Sequence, residues 1–190
     1  MTNTDYIIPT SKQRPVLEGG AYLGICVQAI DLGTQDGEWQ GKPKKDRKVR
    51  LVFELPGETA VFKDGGAAES FLVGRTYVAS LHEKSTLRPH VKAIIGEVPN
   101  GLDLSKLINR GAVITISKEP KASDPSVFVN KIEGIAPLMK GQVVPLPTND
   151  PFFYATAMGK GGTFDRLPDF IKEDVSNSPE FKAASESKPF

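Results

Sequence analysis

Apolar residues fall at every second position over much of the first half of the chain. Ala21, Leu23, Ile25, Val27 and Ala29 predict a strand over residues 20–32 with these five side chains on one face. Val49, Leu51, Phe53 and Leu55 repeat the alternation in a second strand, and residues 71–81 supply a third. Between these two, residues 56–70 are rich in glycine and charge and read as a loop. The period then changes. Pro89 is placed to open a helix with Val91, Ile94 and Ile95 as its apolar stripe, and Gly96 stops it. Asp103 caps a second short helix over residues 104–109, and residues 111–117 and 127–135 return to strand.

Three strands, a helical segment and two strands follow the order of an OB-fold. The expected class is therefore mainly β, a five-stranded OB-fold-like Greek-key barrel with a short helical segment between strands 3 and 4. Another small barrel or an α+β sheet uses the same elements. Residues 1–18, with Pro9 and Pro15, read as an extended leader, and residues 19–137 as the barrel. Residues 138–175 form a proline-rich connector and an aromatic, Gly-rich arm, in which Phe152, Phe153, Tyr154 and Phe164 surround Gly159-Lys-Gly-Gly162. Residues 176–190 lack apolar periodicity and read as a flexible C-terminal tail.

Charge alters the picture in one place. The net charge is +1, yet Lys42, Lys44, Lys45, Arg47, Lys48 and Arg50 set six cations within nine residues, opposed there only by Asp46. They follow Trp39 in what reads as the loop between strands 1 and 2. Lys118 and Lys121 stand in the loop between strands 4 and 5, on the opposite wall of an OB-fold groove. Cations along a track, with rings on which bases stack, suit single-stranded nucleic acid. Trp39 is the first candidate for stacking. Tyr22, and Tyr77 beside Arg75, are further candidates, with ordinary barrel packing the alternative for each. Lys84 and Arg88 extend the basic surface.

Other chemistry finds little support. His82, Glu83 and His90 lack a partner cysteine or second carboxylate at metal-site spacing, so no metal or other cofactor is expected. Ser85 with His82 has no nucleophile elbow. Gly159-Lys-Gly-Gly-Thr163 fails the spacing of a phosphate-binding loop. No catalytic constellation emerges, and the chain reads as a non-enzyme. It holds no run of about 18 apolar residues that would span a membrane and no basic-then-apolar leader for secretion. Cys26, the sole cysteine, lies in an apolar run and reads as a small buried hydrophobe. A cytoplasmic location follows as the expectation.

Three segments carry a resemblance. Glu18-Gly-Gly-Ala-Tyr-Leu-Gly with Asp31-Leu-Gly-Thr-Gln, Val52-Phe-Glu-Leu55, and Ser80-Leu-His-Glu-Lys-Ser-Thr-Leu87 together resemble bacteriophage proteins related to OB-fold single-stranded DNA-binding proteins of phage replication. The likeness spans about residues 16–137 as a pattern, without one diagnostic motif. The final Pro189-Phe190 is similar to the tip of bacterial single-stranded DNA-binding proteins. That likeness implies docking of replication or recombination partners, although the preceding residues are less acidic than in that family. The resemblance implies a phage-encoded, sequence-nonspecific single-stranded DNA-binding protein acting in the host cytoplasm. A homo-oligomer fits the same expectation. The alternative is a phage structural or assembly protein whose small barrel binds protein.

Overall fold

The computed structural model describes residues 14–186. Its dominant feature is one long antiparallel hairpin, β1 (Gly20–Trp39) and β2 (Lys42–Val61), closed by the two-residue turn Gln40–Gly41. Both turn residues have positive φ, 51° and 75°, the geometry that matches the twist of the flanking strands. The basic segment expected as a loop is therefore strand. Its arms are exposed on both faces, so no apolar alternation marked them as such.

β3 (Ala68–Val78) pairs with β2, and β4 (Gly111–Lys121) pairs with both β1 and β5 (Asp124–Ala136). The strand order β3-β2-β1-β4-β5 wraps into a nearly closed antiparallel barrel. Helix α1 (Leu87–Ile95) and a 3-10 turn (Leu104–Leu107) lie between β3 and β4. The mainly β, OB-fold-like class expected from the element order is the class observed. Within it, Gly96 ends α1 with φ 87°, and Asp103 accepts a hydrogen bond from the Ser105 N–H, as their positions predicted. The 56–70 loop shrinks to residues 62–67, because β2 runs on to Val61 and β3 begins at Ala68. The 4–5 loop likewise tightens to a turn at Ala122 and Ser123.

Val49, Leu51, Phe53 and Leu55 all point into the barrel, with Phe71, Val73, Ile114, Ile116 and Ile132. The first strand departs from its expected single face. A bulge between Cys26 and Gln28 reverses the parity, so Cys26 and Ala29 face the barrel core while Ile25 and Val27 pack outside it with Val52. Burial without a cationic neighbour pushes the Cys26 thiol up to about 12, as suits an inert core residue.

The outer face of β1 is covered by a second core. β6 (Phe152–Tyr154) runs parallel to β1, and α2 (Asp169–Asn177) and α3 (Pro179–Glu186) close over it. Ile30, Leu32, Tyr154, Leu167, Ile171, Val175 and Phe181 form this cluster. The tail expected to be flexible from residue 176 is thus helical to Glu186, anchored by Phe181 and by Glu180. The Glu180 carboxylate accepts from the Thr34 N–H (2.9 Å) and hydroxyl (2.5 Å). Only Phe181 is buried among the eight residues of α3, too little for a periodic signal. Pro189 and Phe190 lie outside the described residues.

The connector is held at one buried carboxylate. Glu54, on the outer side of β2, accepts from the N–H and side chain of both Thr148 and Asn149, at 2.7–3.0 Å. Burial pushes this carboxyl up, but the four hydrogen bonds outweigh it and hold it below the usual range.

Candidate nucleic-acid interface

β2 is regular from Lys42 to Leu55, since both bulges of the hairpin fall on β1. Alternation therefore divides the six cations. Lys42, Lys44, Lys48 and Arg50 share the outward face with Asp46 and Val52, whereas Lys45 and Arg47 share the side of Val49 and Leu51. Trp39 is paired directly with Lys42, so the indole belongs to the outward face too. It is 65% exposed. One indole and four cations thus line one face over about 27 Å of strand, from Lys42 to Arg50.

The cations differ in how freely they can meet a new anion. Lys42 and Lys48 make no ion pair among the described residues. Lys44 pairs with Asp46 at 3.0 Å and Lys45 with Asp36 at 3.4 Å, both at the surface. Such pairs contribute about 0–1 kcal/mol and yield readily to a phosphate. Arg47 is different. Its Nη2 and Nε reach the two oxygens of buried Asp31 at 2.6 and 3.1 Å, and this carboxylate also accepts from Gly33 and Thr156. Arg47 is a structural anchor, not a free cation. Arg50 stretches across β3 above Gly74, where a Cβ would stand 2.6 Å from its Nη2. Its guanidinium donates to the Thr76 hydroxyl (3.2 Å) and lies 5.9 Å from the Phe170 ring centroid. Phe170, on α2, is 59% exposed, and its place beside the track was not legible from sequence.

Several other candidates turn out to hold the barrel. Tyr77 is buried, with its hydroxyl 3.0 Å from Nδ1 of His90, and burial pushes its phenol well up. The same burial, with a smaller push from Arg75, lowers His90. Tyr77 cannot stack on a base there. Arg75 spans the gap between β3 and β5, donating to the carbonyls of Ile132 (2.7 Å) and Glu133 (3.2 Å). Tyr22 is half-buried against the barrel core and donates to the Glu18 carbonyl at 2.8 Å. Arg88 donates to the Leu81 carbonyl at 2.8 Å, while Lys84 is exposed near it. Lys118 pairs with Glu18 at 2.5 Å, and Lys121 is exposed at the β4–β5 turn, lining a groove with Arg50. The structure thus gathers Trp39, Lys42, Lys44, Lys48, Arg50 and Lys121 at the outer surface, and assigns Arg47, Arg75 and Tyr77 to packing.

A larger cavity of about 620 Å³ opens at the α1 end of the barrel, lined by Val49, Leu81, Leu87, Leu104 and Phe153. Its ion pair, Asp31 with Arg47, is already satisfied, and its other carboxylate, Asp103, accepts from the Ser105 N–H and hydroxyl. Among the described residues no group of His, Cys, Asp and Glu could hold a metal. No helix among them is long and apolar enough to cross a membrane. No protein-family model matches the chain, and no curated protein matches it significantly.

Proposed function

We propose that this chain is a sequence-nonspecific single-stranded DNA-binding protein, acting without catalysis in the replication or recombination of phage DNA. One observation carries the reading: a regular β2 sets Trp39, Lys42, Lys44, Lys48 and Arg50 on the same outward face. Phosphates spaced along a flexible strand are met by flexible cations, and an exposed indole offers a ring to any base. Phosphate charge and the faces of rings are common to every base, so contacts of this kind do not read base order. The hairpin reaches beyond the barrel, so a strand can be followed by side chains without a deep cleft.

Titration of Trp39 fluorescence with oligo-dT, oligo-U and duplex DNA at two salt concentrations tests this. Quenching by oligo-dT that weakens with salt and is poorer with duplex supports it. Fluorescence that stays constant through a large excess of oligo-dT would overturn it. A second reading, a barrel that binds protein, draws on Met139, Val143 and Leu146, which the connector leaves exposed. Retention on heparin without displacement by oligo-dT favours that reading.

A further inference from the structure

The barrel is not closed by a backbone ladder. β3 and β5 lie side by side, yet no hydrogen-bonded pairing joins them among the described residues, and Arg75 bridges the gap with its side chain. Beyond this bridge the seam widens into a groove of about 490 Å³. That is the size of an ordinary small-ligand site, and it lies between two strands, β3 and β5, that are not paired with each other. Arg14, Arg50 and Lys121 stand on its walls, with Glu69 the one opposing carboxylate. Phe62 and Phe128 line it as half-buried rings.

Each ring already carries a cation. The Arg14 guanidinium carbon is 5.2 Å from the Phe62 centroid, and Lys118 Nζ is 5.4 Å from that of Phe128. The rim is fixed in place. Asn130 donates to the Leu17 carbonyl and accepts from the Leu17 N–H, both at 2.8 Å, which holds Leu17 beside β5. Arg50 joins the groove to the hairpin face, because it stands on β2 and lies over Gly74 of β3.

We infer that the β3–β5 seam is the base-binding subsite of the single-stranded nucleic acid, with Phe128 and Phe62 stacking on bases while Arg14, Arg50 and Lys121 hold the adjoining phosphates. This rests on the proposed function and adds a division of labour to it. The hairpin supplies charge and one indole, and the seam supplies two half-buried rings, which a base reaches by displacing the cation now beside each. A cationic groove with aromatic walls suits unstacked bases better than an apolar peptide, which has no use for three cations.

The test compares oligo-dT with an abasic oligomer of equal length, which keeps the phosphates and lacks the bases. In the full chain, Phe128→Leu should weaken oligo-dT binding about 5- to 150-fold, the loss of one stacked base, and leave the abasic strand unaffected. Phe128→Tyr should restore the affinity. Photocrosslinking with 5-bromouracil oligomers should label segments that contain Phe62 or Phe128. Wild-type affinity of Phe128→Leu for both strands, or crosslinks confined to the hairpin, would overturn the inference while leaving the hairpin reading intact. Failure of the wild-type chain to bind either strand would instead sink the proposed function.

Discussion

Asp31 and Arg47 meet across the root of the hairpin in a two-point contact, Oδ2–Nη2 at 2.6 Å and Oδ1–Nε at 3.1 Å. The carboxylate lies beneath the surface and the guanidinium half outside it. Thr156 adds its N–H and hydroxyl to the same carboxylate, so the pair also ties the β6 segment to the barrel. Arg47→Ala should therefore destabilise the fold by about 1–3 kcal/mol, the cost of leaving a buried acceptor short of a donor. A thermal melt reads this directly. An unchanged melting temperature would return Arg47 to the pool of free cations.

Acid should act through the same site. Burial raises the Asp31 carboxyl, but the Arg47, Thr156 and Gly33 hydrogen bonds outweigh it and hold it below the usual range, as happens at Glu54. The folded chain then binds these protons only at lower pH than the unfolded chain does. Their stabilisation is complete above the ordinary carboxylate values, about pH 4, and falls away as pH drops through the depressed folded values. Asp31→Asn should be less stable than wild type at neutral pH and lose less on acidification. Parallel acid losses in the two proteins would show that Asp31 is not depressed.

The division of cations by strand parity makes a sharper prediction than the charge cluster as a whole. Replacing Lys42, Lys44 and Lys48 together with Ala should flatten the dependence of log affinity on log salt by about 2, roughly 0.7 for each phosphate contact on a single strand. Lys45→Ala, on the other face, should change that slope little. Equal effects per residue on both faces would mean that the strand wraps the hairpin instead of following one side.

How far the sequence foretold this follows from where burial leaves a mark. Val49 to Leu55 was legible because every position on its barrel face is apolar while Arg50 and Glu54 interrupt the other, and the element order then indicated the barrel. The arms around Gln40 and Gly41 were not, since strands exposed on both faces carry no alternation. The β1 bulge inverted a correct pattern without altering composition. Arg47 looked like its neighbours because its partner lies sixteen residues away across a hairpin whose length was unseen. Tyr77 had packing and stacking as equal readings, and only burial separates them. Trp39, expected at the start of the basic loop, is instead the last residue of β1 and is exposed.

The C-terminal helix changes what a truncation should do. A mobile acidic tail would compete with DNA for the cations, so its removal would tighten binding and leave the fold untouched. Here Phe181 is buried with Ile30, Tyr154 and Val175, and its ring stacks on Phe164 at 5.2 Å between centroids. Glu180 further caps Thr34 at the root of the hairpin. Phe181→Ala should cost about 3–5 kcal/mol, as emptying a buried aromatic site usually does. Glu180→Gln should cost less, because an amide oxygen still accepts from Thr34. The useful comparison is Phe181→Ala with deletion of residues 176–190, each followed by melting and by oligo-dT titration. Both should melt well below wild type, and DNA affinity measured below the transition should stay within a few-fold of it. A deletion that melts like wild type and binds more tightly would restore the mobile tail and displace α3 from the second core.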